Sequence, residues 1–280
     1  MKNSMLAFLV FAPFAALAQI RDVSVCRTMP SEKFKLIASS RSFVDSQLIP
    51  RPYVHKSLYG KMITIKTENG PNAIAYFIPA KNKTDRWLFV FQEWWGLNDY
   101  IKKEAEKYYQ DLGNVNVLAL DMYDGKIARN AETAGDYIRA FQTERGHAIV
   151  QGALDYVGSN ARIGTVGWCF GGGQAIQASL MAGNRAVGCV MYYGMPEDDV
   201  DRLKTLHCDV LGIYALQDWH ITSAFTKKFE INMKAAGKTL LLKKYDDVHS
   251  FANPSNPDCN REYATDAYKA ALVFFKERMK

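Results

Sequence analysis

Short apolar runs alternate with amphipathic stretches from about residue 57 to the end of the chain. The runs are rich in Val, Ile, Leu and Phe and have the length of buried strands. In the stretches between them, apolar residues recur three or four positions apart, as they do on one face of a helix. Strands that alternate with helices of this length indicate an α/β fold with a mostly parallel central sheet and helices on both faces.

The same pattern gives approximate bounds for each element. We predict strands at 61–66, 73–78, 87–91, 115–120, 162–167, 186–192, 209–215 and 238–245, with the first two forming a hairpin. We predict helices at 99–112, at 131–157 with a break near Gly146, at 174–181, at 223–236 and around 263–274. Gly113 and Gly237 follow two of these helices and are typical stop signals.

The N-terminal part of the chain lacks this alternation. Lys2, an apolar run from Met5 to Ala16 and the small-residue site Ala16-Leu17-Ala18 are typical of a secretory signal peptide. An uncleaved membrane anchor is the alternative, although the run is short and contains Pro13. We predict a signal peptide at 1–18, an irregular extension at 19–56 and a domain at 57–280 of an exported, soluble protein.

Composition narrows the class of protein. Of the 280 residues, 48% are hydrophobic and 23% are charged, which is ordinary for a globular protein and excludes a disordered chain. Lys and Arg number 35 against 29 Asp and Glu, and the excess is spread along the chain, so we do not expect a nucleic-acid partner. The five cysteines are not spaced as metal ligands, and we expect neither a metal nor an organic cofactor.

Export would place the cysteines in an oxidising compartment. Cys26 in the extension and Cys259 in a polar loop could form a disulfide that ties the extension to the domain. Cys189 and Cys208 adjoin apolar runs, so we expect both to be buried. Cys169 has different surroundings from the other four.

Cys169 lies in the segment Gly167-Trp168-Cys169-Phe170-Gly171, between a predicted strand and a predicted helix. This is the strand–turn–helix pattern of a nucleophile elbow, with Cys in place of the usual Ser. Glycines are needed because the turn is sharp and backbones approach each other closely there. The helix N-terminus favours a thiolate. The alternatives are a buried Cys in a Gly-rich turn or a phosphate loop, although Gln174 replaces the expected Lys or Ser/Thr.

Two further residues follow in the chain order nucleophile, acid, histidine. Asp218 comes just after the predicted strand at 209–215, and His249 lies in the loop after the next strand. Because the ends of parallel strands meet at one edge of a sheet, these side chains are expected to lie near Cys169. His220 is too close in sequence to Asp218 to face it easily. The spacing therefore predicts a Cys169–His249–Asp218 triad.

The chain resembles the dienelactone hydrolase family of α/β-hydrolases over about residues 57 to 280. The motifs that carry the resemblance are Gln92-Glu93-Trp94-Trp95-Gly96-Leu97-Asn98, Asp121-Met122-Tyr123, Gly167-Trp168-Cys169-Phe170-Gly171-Gly172, Tyr192-Tyr193-Gly194, Gln217-Asp218 and His249-Ser250-Phe251-Ala252. The resemblance implies Cys169 as nucleophile, His249 as general base and Asp218 as the carboxylate that orients the imidazole. It also implies that Glu93 holds the resting thiol, and that the N–H groups of Trp94 and Phe170 form an oxyanion hole.

The substrate site departs from the family pattern. The resemblance implies two arginines for a substrate carboxylate, but this chain has Gly125 at one position and Asn253 at the other. The bidentate contact that an arginine makes with a carboxylate is therefore lost, and Lys126 or Arg129 would supply a looser charge. We do not expect dienelactone itself to be the substrate.

Four of the five tryptophans adjoin proposed site residues. They are Trp94, Trp95, Trp168 and Trp219. They could be core packing or the aromatic wall of a pocket for a flat or apolar group. The predicted substrate pocket contains Trp95, Tyr123, Lys126, Trp168, Trp219 and Asn253.

These patterns predict a hydrolase that cleaves small carboxylic esters or lactones through a thioester on Cys169. Its partner would be a small-molecule substrate, with no membrane contact after removal of the signal peptide. The alternatives are a binding protein that keeps the fold without turnover, and a redox sensor based on the Cys169 thiol. A redox sensor would need a second cysteine close to Cys169, and no spacing in the sequence indicates one.

Overall fold

The computed structural model describes residues 29–68 and 70–280. Its centre is an eight-stranded sheet in the order β1-β2-β4-β3-β5-β6-β7-β8. The strands are β1 Lys61–Ile65, β2 Ala73–Ile78, β3 Arg86–Phe91, β4 Asn116–Leu120, β5 Arg162–Trp168, β6 Ala186–Tyr192, β7 Val210–Ala215 and β8 Leu240–Tyr245. Strands β1 and β2 form the predicted antiparallel hairpin, β2 pairs antiparallel with β4, and all other neighbours pair in parallel.

From β3 onward, each strand is followed by one or two helices, and two more helices precede β1. The helices are α1 Pro30–Ala38, α2 Arg41–Ser46, α3 Asp99–Leu112, α4 Ala131–Ala140, α5 Thr143–Val157, α6 Phe170–Ala182, α7 Val200–Lys204, α8 Ser223–Ala235 and α9 Arg261–Arg278. Every residue of β7 is buried, as is β5 after its first residue, so both faces of the central sheet are covered. The predicted α/β-hydrolase fold with a mostly parallel sheet is confirmed.

The helix predicted at 131–157 breaks earlier than expected. The chain leaves the helical conformation at Phe141 and Gln142, and Gly146 lies inside α5. A Cβ at Gly146 would lie 2.5 Å from the Phe141 ring, so this glycine makes room for an aromatic side chain instead of breaking the helix. Helix α6 also begins earlier than predicted, at Phe170 instead of Gln174, because the helix starts directly after the turn at Cys169.

The segment 19–56 was expected to be irregular, but it contains helices α1 and α2. Pro30 stands at the start of α1, where its fixed φ favours a helix and its missing N–H is not needed. Phe34 of α1 and Phe43 of α2 are fully buried against the domain. The predicted signal peptide and Cys26 lie outside the described residues. From residue 29 onward, leaving aside residue 69, no helix is long and apolar enough to cross a bilayer.

Close backbone packing explains two glycines, one at the end of β5 and one at the start of α6. A Cβ at Gly167 would lie 2.1 Å from the carbonyl oxygen of Gly171. A Cβ at Gly171 would lie 2.3 Å from the carbonyl oxygen of Gln92 and 2.4 Å from that of Phe91. These contacts are with backbone, which cannot move aside as a flexible side chain can. The turn between β5 and α6 therefore packs directly on the end of β3.

We expect Gly171→Ala to lower the free energy of unfolding by at least about 2 kcal/mol, because the new methyl group overlaps backbone atoms of β3. Gly135→Ala is a matched control in α4, because the new methyl group there meets mainly the flexible end of Arg139. Alanine should change stability at that position by no more than about 1 kcal/mol. Denaturant unfolding of both variants measures the difference, and equal stabilities would contradict the packing described for Gly171.

Candidate active site

Cys169 occupies the turn between β5 and α6 in a conformation that L-residues rarely adopt, with φ 55° and ψ −116°. The turn is held by hydrogen bonds from the Cys169 N–H to the Tyr192 carbonyl, at 2.9 Å, and from the Gly172 N–H to the Cys169 carbonyl, at 3.0 Å. Only 1% of the residue is exposed. Left-handed backbone at a non-glycine residue is a local strain that is common at functional sites.

His249 and Asp218 lie next to this cysteine. His249 Nε2 is 3.1 Å from Cys169 Sγ, and His249 Nδ1 is 2.6 Å from Asp218 Oδ2. The three side chains follow the carboxyl ends of β5, β7 and β8, which meet at one edge of the sheet. Sheet topology thus brings together three groups that are distant in the chain. The thiol and the imidazole lie 80 residues apart in sequence, and the imidazole and the carboxylate lie 31 residues apart.

The loop after β7 fixes the orientation of the Asp218 carboxylate. Its Oδ1 accepts hydrogen bonds from the backbone N–H groups of His220, at 2.8 Å, and Ile221, at 2.9 Å. Burial raises the pKa of Asp218, but the charge of His249 and these hydrogen bonds outweigh burial and lower it. The carboxylate is therefore ionised at neutral pH. Burial and the nearby His249 charge lower the pKa of His220 more than the Asp218 carboxylate raises it, and His220 reaches that carboxylate through its backbone N–H.

The charges beside His249 favour its protonated form. Burial lowers its pKa, but the Asp218 carboxylate and the hydrogen-bonded Cys169 sulfur raise it more strongly, to about 10. An imidazole in this position holds a proton at neutral pH and can later release it to a reacting group. The geometry can therefore support nucleophilic attack by sulfur and proton transfer by the imidazole.

Glu93 is fully buried, and its predicted role in holding the resting thiol stays a prediction. Its carboxylate accepts hydrogen bonds from the Trp95 N–H at 2.6 Å, Asn98 Nδ2 at 3.1 Å and Ser255 Oγ at 2.6 Å. Burial raises the pKa of Glu93 to about 7, and these three hydrogen bonds oppose that rise. The acid is engaged by its own loop and by Ser255, while the thiol faces His249.

The two proposed oxyanion donors have different backbone settings. Phe170 is the first residue of α6, and the N–H at that position has no acceptor within its own helix. Trp94 precedes Trp95 in the loop after β3, where the Trp95 N–H is already engaged by Glu93. Both side chains are buried beside the turn at Cys169. Their role as an oxyanion hole stays a prediction.

Two cavities among the described residues contain some of the predicted pocket residues. Trp168 and Asn253 line a cavity of about 260 Å³, whereas Tyr123 and Lys126 line another of about 180 Å³. Trp95 is buried against Trp94, with ring centroids 4.9 Å apart. Trp219 is 84% exposed, so its side chain lies in solvent, and its place in a pocket wall stays a prediction. Its neighbour Asp218 turns inward to His249, and the next side chain along the loop points to solvent.

Several residues at the site were not anticipated from the sequence. Tyr193 lies with its ring 5.0 Å from that of His249, and Ser255 and Asn98 hold Glu93. Phe43 and Phe34 reach the site from α2 and α1. Tyr193 and Asn98 lie inside motifs that carry the family resemblance, so the sequence indicated that they are near the site. No sequence pattern indicated this for the two phenylalanines. Within residues 29–68 and 70–280, no group of His, Cys, Asp or Glu is placed to hold a metal ion.

Comparison with known proteins identifies related sequences. Residues 74–279 match the sequence model of the dienelactone hydrolase family. A protein of Saccharolobus solfataricus named as a carboxymethylenebutenolidase is 24% identical over 229 residues, which cover 68% of this chain and 88% of that protein. Carboxymethylenebutenolidase 1 of Cupriavidus pinatubonensis is 23% identical over 228 residues, which cover 75% of this chain and 94% of that protein.

Solved structures show the same fold. A dienelactone hydrolase-like promiscuous phosphotriesterase from metagenomic libraries superposes with a TM-score of 0.67 at 18% identity. The match covers 79% of this chain and 100% of that one. At this identity the likeness establishes the fold of the chain and leaves its substrate open.

The raised pKa of His249 makes stability depend on alkaline pH. The folded chain holds the His249 proton more tightly than the unfolded chain does, so protonation of His249 stabilises the fold. This stabilisation is fully present below about pH 6.5, the pKa of an unperturbed histidine, and is lost as the pH rises through about 10. Asp218→Asn removes the strongest charge that raises this pKa. We expect urea unfolding to show the stability advantage of wild type over Asp218→Asn shrinking by about 2 kcal/mol or more between pH 7.5 and 10.

Asp246→Asn is the control for this measurement, because Asp246 is exposed and contacts Gln217 instead of the imidazole. Its stability should follow the wild-type pH curve. Parallel curves for wild type and Asp218→Asn would contradict the assigned coupling between Asp218 and His249.

Proposed function

The chain belongs to the dienelactone hydrolase family, and from this premise we propose that it hydrolyses small carboxylic esters or lactones through a thioester on Cys169. The observation that carries the proposal is the continuous contact from Asp218 through His249 to the sulfur, at 2.6 Å and 3.1 Å. A thiol in contact with a base that is itself oriented by a carboxylate is the arrangement of an activated nucleophile.

In the first half of the reaction, the Cys169 sulfur attacks the carbonyl carbon, and the carbonyl oxygen gains the negative charge. The N–H groups of Phe170 and Trp94 are the proposed donors to that oxygen. The tetrahedral intermediate collapses by breaking the bond between carbon and the alcohol oxygen. The His249 imidazolium donates its proton to that oxygen, so an alcohol leaves and an acyl thioester remains.

In the second half, loss of the thiolate changes the charge balance at His249. Acylation removes one of the two negative charges that raise its pKa, so the imidazole gives up its proton more readily and becomes a general base. It takes a proton from water as the water oxygen attacks the thioester carbon. Collapse of this intermediate breaks the carbon–sulfur bond, and the acid and the thiolate are released.

Buried polar groups without partners support a polar ligand at this site. Among the described residues, the side-chain atoms Gln92 Nε2, Trp94 Nε1, Tyr123 Oη and Tyr193 Oη are buried and lack a hydrogen-bond partner. Native proteins rarely leave such donors unsatisfied. The Tyr193 ring lies 5.0 Å from that of His249, and the Tyr123 ring stacks on that of Phe170 with centroids 5.7 Å apart, so both tyrosines adjoin proposed site residues.

The substrate is expected to differ from dienelactone. Gly125 and Asn253 stand where the family resemblance implies arginines, and Asn253 Oδ1 accepts a hydrogen bond from the Ser255 N–H. Lys126 Nζ lies 5.8 Å from the Tyr137 ring centroid, so its charge is directed to a neighbouring aromatic ring. Esters are favoured over amides because a thiolate leaves the first intermediate more readily than an unprotonated amine does.

Hydrolysis also explains the site better than the two alternatives. A binding protein would have no need for a thiol, an imidazole and a carboxylate in contact. A redox sensor would have no need for the Asp218 carboxylate that orients His249 beside the sulfur.

Cys169→Ala and His249→Ala should each lower kcat/KM for p-nitrophenyl acetate and for responsive lactones by about 10³-fold or more, because each removes a member of the catalytic unit. Cys208→Ala is the matched control, since this buried cysteine is separate from the triad. It should hydrolyse the same compounds at nearly the wild-type rate. Folded wild type and variants that are equally inactive across the panel would overturn the proposal.

We also place the mature protein outside the cytoplasm, on the strength of the N-terminal pattern that ends at Ala16-Leu17-Ala18. Expression of the full chain in a bacterial host should yield an exported protein whose N-terminus is Gln19. N-terminal sequencing measures this directly. A chain that keeps Met1 and stays in the cytoplasm would contradict the assignment.

A further inference from the structure

Two phenylalanines from the N-terminal helices cover the candidate active site. Phe43 is 0% exposed and Phe34 is 1% exposed, although α1 and α2 are short and lie on the surface of the domain. The match to the family begins at residue 74, so both helices lie outside it. The segment from residue 30 to residue 47, here called the roof segment, is therefore an addition to the part of the chain that the family shares.

The roof segment contacts the residues assigned to catalysis. The Phe43 ring packs edge-on against His249, with centroids 5.8 Å apart, and against Trp94, with centroids 5.1 Å apart. The Phe34 ring lies 6.0 Å from that of Phe170 and 5.7 Å from that of Phe43. The two aromatic rings thus adjoin the general base and both residues proposed to donate to the oxyanion.

Polar contacts fix the chain to the domain both before and after α2. Before α2, Ser31 Oγ lies 2.7 Å from Thr143 Oγ1 and Lys33 Nζ lies 2.6 Å from an Asp198 oxygen. After α2, Tyr100 Oη donates to the Arg51 carbonyl at 3.0 Å. These contacts hold the chain at both sides of α2.

Residues 39–50, which lie between these contacts and include α2, are held differently. Among the described residues, the one polar contact from 39–50 to the domain joins Ser250 Oγ to Gln47 Oε1, at 3.5 Å. Helix α2 is therefore held on the site mainly by the buried Phe43 ring. The polar contacts at the two ends can persist when this ring moves.

We propose that Phe43 is a specificity-determining residue that limits the size of the acyl group able to reach Cys169. The inference rests on the proposed function, because it assumes that an acyl group is transferred to the sulfur. That group must lie beside His249 and Trp94, where the Phe43 ring packs. A small or flat acyl group fits beneath the ring, whereas a larger one must displace α2 from the domain.

The first test measures access to the sulfur without any hydrolysis. Wild type and Phe43→Ala are treated with iodoacetamide and with the larger reagent N-phenylmaleimide, and the modified Cys169 peptide is quantified by mass spectrometry. Both reagents need the thiolate, so a change in thiol ionisation alters the two rates together. The ratio of the larger to the smaller reagent therefore reports space above the sulfur, and it should rise about tenfold in Phe43→Ala.

Three further variants make this test specific to the ring. Leu36→Ala is the control in the same segment, because Leu36 is 74% exposed, and it should keep the wild-type ratio. Phe43→Trp should lower the ratio because its ring is larger. The reagent ratio of Phe43→Leu should fall between those of wild type and Phe43→Ala. This variant serves as the test if Phe43→Ala does not fold.

The second test uses p-nitrophenyl esters from acetate to octanoate. Phe43→Ala should raise kcat/KM for long acyl chains relative to acetate by about tenfold, with little effect from Leu36→Ala. Unchanged reagent and chain-length ratios in folded Phe43→Ala and Phe43→Leu would overturn the roles assigned to the ring. Size-dependent labelling of Cys169 without hydrolysis in wild type would instead overturn the proposed function and retain the steric role.

Discussion

The close backbone packing around the turn at Cys169 is the constraint on which the site depends. The cysteine takes a left-handed φ of 55°, and the turn is possible because the neighbouring positions 167 and 171 carry no Cβ. A side chain at either glycine would overlap backbone of α6 or β3. This packing fixes the sulfur at the carboxyl edge of the sheet and directs the N-terminus of α6 toward it, where the first N–H groups of the helix lack acceptors within the helix.

At the carboxyl edge of the sheet, the protonation states of Asp218 and His249 are set by buried charges that have partners. Asp218 stays ionised in the interior because two backbone N–H groups and His249 stabilise the carboxylate. That charge and the thiolate in turn favour the protonated imidazole. Formation of an acyl thioester would remove one of these charges, so the same three groups favour proton donation before acylation and proton acceptance after it. The charge balance, more than any single contact, couples the two halves of the proposed reaction.

Much of the fold, and the contact among Cys169, His249 and Asp218, could be predicted from sequence because both rest on local patterns. The apolar periodicity located the eight strands, and the glycines around Cys169 with the chain order of Asp218 and His249 indicated one sheet edge. The cover over the site could not be predicted, because the burial of Phe34 and Phe43 depends on contacts between distant parts of the chain. The same limit explains the error at Gly146, where a glycine accommodates Phe141, and the unforeseen exposure of Trp219. The hydrogen bond from Ser255 to Glu93 joins residues 162 positions apart, so it could not be predicted either.

The most direct test of the central idea is to trap the acylated protein. Wild type is mixed with p-nitrophenyl acetate, stopped with acid within one turnover, and digested for peptide mass mapping. We expect one acetyl group on Cys169, removable by hydroxylamine as is usual for a thioester. We also expect more of this species in His249→Gln if acylation proceeds, because water then lacks its base. Hydrolysis of the ester with the acetyl group on another residue, or with no acylated protein at any time, would contradict the account.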